Sequence, residues 1–217
     1  FNIKLDYIIE DQNHQGIEKL KLSNVIQDPS FVREVLSYEI YRKYMPSSRS
    51  NYANLYINDT LWGLYTNVEA VNKGFLVDHF DSKHNSFFKC NPENLNVQIG
   101  GENSNLSDIH GTDSVDYYPY YNIKSDNGWK DLYGLIDTLN NSQDSVHHVL
   151  NVDRTLWMHA LNYTMINFDS YIGYSQNYYL YRDQANQWNP IIWDLNMSFG
   201  GFRLTDASQL YFNGFDI

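Results

Sequence analysis

Apolar and polar positions along the chain change rhythm several times, and each change marks an element. "FNIKLD" and "IEKLKLSN" alternate with the period of strands, the second placing Lys19 and Lys21 on one shared face. "DPSFVREVLSYEIYRKYM" then repeats at helical spacing. Asp28 is read as its N-cap, Pro29 as its first helical residue, and Phe31, Val32, Val35, Leu36 and Ile40 as its inward stripe. "YANLYINDTLWGLYTNVEAV" is two aromatic-rich runs around the turn residues Asn58 and Asp59, which predicts a hairpin. "SFFKC" is a further short strand.

From residue 91 to 128 the chain is dominated by Asn, Ser, Asp and Gly, and it reads as a long polar insert, either functional or mobile. Helical spacing returns in "GWKDLYGLIDTLNN", with Trp129, Leu132, Tyr133, Ile136 and Leu139 on one stripe. Asp144 is the expected cap of "SVHHVL". Asp153 is the expected cap of "RTLWMHALNYTMI", with Leu156, Ala160 and Tyr163 facing inward. Two strands, "NYYLYRD" and "NPIIWDL", close the pattern around a turn at "QANQ". The order is β-rich with one helix and then mostly helical. It predicts an α+β chain of two unequal lobes, about 1–90 and about 91–217, with a cleft between them.

Composition narrows the function. Hydrophobic residues make up 42% of 217, enough for a sizeable core. A net charge of −11 argues against nucleic-acid partners, which need a basic footprint. Cys90 is the single cysteine, so no internal disulfide can form. No run approaches the roughly 20 apolar residues of a membrane span. The chain opens at Phe1 inside a strand, as a fragment of a longer polypeptide would.

Three polar residues sit where elements end. Asp169 in "NFDSY" follows a helix, Asn177 opens one strand of the late hairpin, and Asp194 closes the other. Hairpin ends away from the turn are close in space, so Asn177 and Asp194 are expected to be neighbours. One Asn and one Asp supply the oxygen ligands that Mg²⁺ takes, and phosphate and water complete its octahedron. Protein kinases combine a catalytic acid with such an Asn and Asp, and add a strand Lys oriented by a helix Glu. Lys21, with Lys4 as competitor, and Glu34 or Glu39 offer that second set. Other chemistries are less well supplied. His147 and His148 are adjacent on a helix and diverge, there is no HExxH, and Cys90 has no local nucleophile signature. Gly100 and Gly101 lack the lysine of a phosphate-binding loop. A carbohydrate site built from Tyr, Trp and two carboxylates remains open.

Four separated motifs in order, "LSNVIQDPSFVREVLSYEIYRKY", "NLYINDTLWGLYTNVEAVNKGFL", "SFFKC" and "NYYLYRD…WNPIIWDLNMSFGG", resemble the CotH family, named for a spore coat protein. The resemblance implies an atypical, two-lobed protein-kinase-like fold and ATP- and Mg²⁺- or Mn²⁺-dependent phosphorylation of Ser or Thr on protein substrates. Spore coat or other extracellular and surface proteins are the implied setting. By position it makes Asp169 the catalytic acid and Asn177 and Asp194 the metal ligands. Glu69 and Lys89 match family positions beside the nucleotide, and Arg33 and Glu34 match the helix motif; Lys21 or Lys4, from the strand-lysine reading, would join them there. Two departures stand out. The family segment "RGNS…KK" ahead of "FNIKLD" is absent, and "WDLN" puts Asn196 where the family often has a second acid. A degenerate fold serving as a non-catalytic surface or scaffold-associated binding module is the alternative.

Overall fold

The computed structural model describes residues 1–97 and 102–202; Gly100 and Gly101 lie outside them. It is an α+β chain with two antiparallel four-stranded sheets. The first sheet, in the order β1-β2-β4-β3, uses β1 (Asn2–Lys4), β2 (Lys19–Ser23), β3 (Ser50–Ile57) and β4 (Thr60–Val68). The second, in the order β6-β5-β7-β8, uses β5 (Phe87–Cys90), β6 (Tyr121–Ile123), β7 (Tyr178–Arg182) and β8 (Trp188–Ile192). The helices are α1 (Arg33–Tyr41), α2 (Lys73–Phe80), α3 (Trp129–Asn141), α4 (Val146–Val149), α5 (Val152–Thr164) and α6 (Tyr171–Tyr174).

The two sheets differ in how they are covered. β3 and β4 keep exposed residues along much of their length, and their turn is the two residues Asn58 and Asp59, both left-handed at φ 48° and 60°. That is the backbone of a primed hairpin turn, which asparagine and aspartate tolerate best after glycine. β7 and β8, by contrast, are buried almost throughout. One face of their sheet packs Phe87, Tyr179, Tyr181 and Ile191 against Phe75, Leu76 and Phe80 of α2. The other packs Phe88, Leu180, Trp188 and Ile192 against α3 and α5. A strand covered on both faces reads as a continuous apolar run, which explains "NPIIW".

Several helix predictions need correction. α1 begins at Arg33, because Val25, Gln27 and Phe31 are left-handed and turn the chain before it. Asp28 is buried in that turn and still serves the helix from a distance, accepting from the backbone N–H of Ser30 and of Arg33 at 3.0 Å each. The inward face of α1 is Glu34, Ser37, Tyr38 and Tyr41, while Val32 and Leu36 are exposed. Tyrosines that bury their rings and find hydrogen bonds for their hydroxyls outcompete the aliphatic stripe. α5 is capped by Asn151, whose side chain accepts from Arg154, and Asp153 sits in the first turn. Its buried residues are Met158, Leu161 and Asn162; Leu156, Ala160 and Tyr163 are exposed. Asp144 lies in a short 3-10 turn and gives no side-chain cap to α4.

The described part of the polar insert is built into the molecule. Ser104 is fully buried and donates its hydroxyl to the Tyr120 carbonyl, while the Tyr178 and Tyr171 hydroxyls donate to the carbonyls of Ser104 and Asn105. β6 emerges from this insert as an edge strand.

Candidate active site

The register of the late hairpin pairs Tyr178 with Ile192 and continues one step further, with the Trp193 N–H donating to the Asn177 carbonyl at 3.1 Å. Asn177 is therefore opposite Trp193 and one residue from Asp194. Both Asn177 (φ 58°) and Asp194 (φ 60°) are left-handed, so each strand bends sharply at the open end of the hairpin. The Tyr38 hydroxyl of α1 receives the Asp194 N–H at 3.1 Å and fixes that bend.

Asp169 reaches the same place from α5. Asn162 of α5 accepts from the Tyr41 hydroxyl at 2.7 Å and from Asn167 at 3.2 Å. Ser170 in turn donates to the Asn167 carbonyl, closing a buried chain of polar groups around the turn that carries Asp169. α6 packs tightly on this turn: a Cβ on Gly173 would lie 2.0 Å from the Phe168 carbonyl oxygen. Gln176 donates to the Asp169 carboxylate, and the Asn177 amide donates to the Asp169 carbonyl at 3.0 Å. Asp169, Asn177 and Asp194 are thus brought together.

This proximity shapes the electrostatics of the three side chains. Burial first, and the charge of Asp194 second, push the Asp169 carboxyl up to about 6. Burial also raises Asp194, with Lys89 and Lys21 pulling it back. Glu34 is pushed up to about 7 by burial and by Asp194, while its hydrogen bond from Thr66 opposes the shift. The Lys21 ammonium sits over the Trp193 ring, 5.4 Å from its centroid. Among the described residues nothing donates a hydrogen bond to the Asp194 carboxylate or to Asn177 Oδ1.

A family model described as "CotH kinase protein" matches residues 1–214. The chain belongs to the CotH family. No curated protein matches it.

The remaining candidate residues fall in two groups. Lys21, Glu34 and Lys89 surround the acid cluster, in electrostatic contact with Asp194. Glu69 and Lys4 lie elsewhere. Glu69 lines a cavity of about 620 Å³ between β2, β4 and α2, where its carboxylate accepts from Arg49 at the backbone N–H (2.9 Å), Nε (3.2 Å) and Nη2 (2.6 Å). Lys4 is on the edge strand, paired with Asp6 at 3.3 Å. Lys19, which is two residues from Lys21 on the same face of β2, also lines the cavity. In this CotH chain Asn196 is buried and donates to the Ile26 carbonyl at 3.4 Å, a bond an ionised Asp could not make.

No three His, Cys, Asp or Glu side chains among the described residues form a metal-binding group. The donor set in CotH here is two carboxylates and an amide oxygen, with free lone pairs on Asp194 and Asn177. Hard oxygen donors of this kind fit Mg²⁺ or Mn²⁺ when phosphate oxygens and water supply the other positions. Sequence reasoning missed Tyr38, Gln176, Trp193 and Lys124. Only Gln176, adjacent to Asn177, carried any signal.

Proposed function

We propose that the chain is an ATP- and divalent-metal-dependent protein kinase that phosphorylates Ser or Thr of a protein substrate, on a two-lobed kinase-like fold whose cleft lies between the two sheets. Spore coat or cell-surface proteins are the proposed substrates. The observation that carries the reading is the meeting of Asp169, Asn177 and Asp194 opposite Lys21 and Lys89.

In the proposed reaction the acceptor hydroxyl oxygen bonds to the γ-phosphorus, the bond to the β–γ bridging oxygen breaks, and ADP leaves. Asp169 takes the hydroxyl proton. A carboxylate held near 6 is ionised at neutral pH yet more basic than an ordinary aspartate, which suits that transfer. Asn177 and Asp194 would hold the metal, which supplies charge neutralisation on the phosphates. Lys21 is the better placed of the two strand lysines for the phosphates, since Lys4 lies outside the cluster. The cavity at Lys19 and Glu69 is proposed for the nucleoside.

Binding of Mg²⁺·ATP measured by calorimetry, together with transfer of labelled phosphate to Ser/Thr acceptors, tests the reading. Metal-dependent binding lost in Asp194→Ala supports it; metal-independent binding unchanged in that variant sinks it. A non-catalytic binding module is the second reading. Asn196 favours it, because the substitution removes an acid and ties the position to Ile26.

A further inference from the structure

Four lysines face one another across the cleft, two from each sheet. On β2, Lys19 and Lys21 are two residues apart and share a face. On the second sheet Lys89 is opposite Asn122 and Tyr179, while the Lys124 N–H bonds the Phe87 carbonyl, so Lys124 sits on the same face as Lys89, diagonally across β5 and β6. Trp193 lies on that face too, edge-on to Tyr179 with ring centroids 5.9 Å apart. The Lys21 ammonium over the Trp193 ring shows that the lysine faces of both sheets border one space. Lys19, Lys21 and Lys89 are half-buried and Lys124 is at the exposed rim.

These cations are poorly neutralised. Among the described residues none of the four forms an ion pair within 4 Å, although the chain as a whole carries −11. The acids nearby, Asp194 with Asp169 and Glu34 behind it, are at one end of the group, and none of them is within ion-pair distance of the four lysines. Burial and mutual repulsion lower both Lys21 and Lys124. Unpaired like charges held together in a cleft are stabilised by a polyanion that lies among them.

We infer that Lys19 and Lys124 complete a four-lysine clamp for a linear polyphosphate chain, gripping it from both sheets. The clamp deepens the kinase reading and rests on it for the identity of the chain, a nucleoside triphosphate. Its own requirement is simpler: contiguous phosphates, with or without a nucleoside. Neither Lys19 nor Lys124 lies in the four stretches that carry the family resemblance. A single phosphate meets one or two of the lysines, whereas a triphosphate spans both pairs, so affinity should rise with chain length.

The test is calorimetry of the full chain with tripolyphosphate, pyrophosphate and orthophosphate in EDTA, and separately with Mg²⁺·ATP. Tripolyphosphate is expected to bind without metal, tighter than pyrophosphate and far tighter than orthophosphate, and to weaken as salt is raised. Lys124→Gln and Lys19→Gln should each weaken it about 5-fold, and Lys124→Arg should restore it. Asp194→Asn removes a negative charge beside Lys21 and Lys89, so it should strengthen metal-free tripolyphosphate binding while it weakens Mg²⁺·ATP binding. Equal binding of all three phosphates, or indifference to Lys19→Gln and Lys124→Gln, overturns the clamp; Mg²⁺·ATP binding that is lost in Asp194→Ala would then leave the kinase reading standing. Lysine-dependent tripolyphosphate binding with no Mg²⁺·ATP binding does the reverse. If no phosphate compound binds, both fall.

Discussion

Glu69 and Asp194 invite comparison because each follows the closing strand of an antiparallel hairpin, Glu69 just after β4 and Asp194 two residues after β8. The Glu69 carboxylate is saturated by Arg49, with the guanidinium and backbone N–H of one residue holding both oxygens. The Asp194 carboxylate receives no hydrogen bond among the described residues. It is half-buried, raised by desolvation, and answered only by the more distant charges of Lys89 and Lys21. A strand that ends on an acid therefore says little by itself. The donors that remain for the acid decide whether it finishes a surface or opens a site. An acid left desolvated and unpaired costs stability, and such costs are tolerated where a ligand later supplies the missing partner.

Substitutions can break that contrast, and the largest effect belongs to the neighbour of Asp194. Asp169→Asn should lower the turnover of phosphate transfer by about 10²- to 10⁴-fold with little change in Mg²⁺·ATP affinity. In the unaltered protein, turnover should climb as pH rises through about 6, where Asp169 ionises. A pH–rate profile flat from 5 to 7 would remove Asp169 from the proton-transfer step. Asp194→Ala should reduce metal-dependent ATP affinity by on the order of 100-fold and leave the melting temperature unchanged or higher, because an unpaired buried charge is lost. A large loss of stability would put Asp194 in the same class as Glu69.

Glu34 sharpens the comparison through pH. Its carboxyl is raised from an ordinary 4.5 to about 7, so the folded protein holds this proton more tightly than the unfolded chain. Its contribution to stability is full below about 4.5 and is lost as pH rises to about 7. Glu34→Gln should abolish that slope, a difference on the order of 2–3 kcal/mol between pH 4.5 and 8 in denaturant titrations. The smallest effect is that of Glu69→Gln, expected to cost about 1 kcal/mol by weakening a largely exposed Arg49 pair. No change in ATP affinity from Glu69→Gln would mark this residue as structural; a loss would extend the site into the cavity.

The sequence made these two acids look alike, and it was informative elsewhere in proportion to how local the signal was. The primed turn at Asn58 and Asp59, the buried β7–β8 hairpin and the α3 stripe follow from short-range pattern, and all are present. The proximity of Asn177 and Asp194 follows from hairpin register alone. α1 and α5 were oriented wrongly because their inward faces are chosen by distant polar partners. Glu34 finds Thr66, and Tyr41 finds Asn162. No periodicity rule scores a buried glutamate or a buried asparagine as inward. Lys124 was hidden because β6 is three residues long and lies inside a segment that reads as loop.

Tyr38 and Tyr41 stand one helical turn apart on α1, and each hydroxyl grips a different acid-bearing segment, the first at Asp194 and the second, through Asn162, at the turn of Asp169. The helix thereby works as a gauge. Its pitch of roughly 5.4 Å helps set the gap between the two carboxylates, so a tilt or rotation of α1 would shift both of them together.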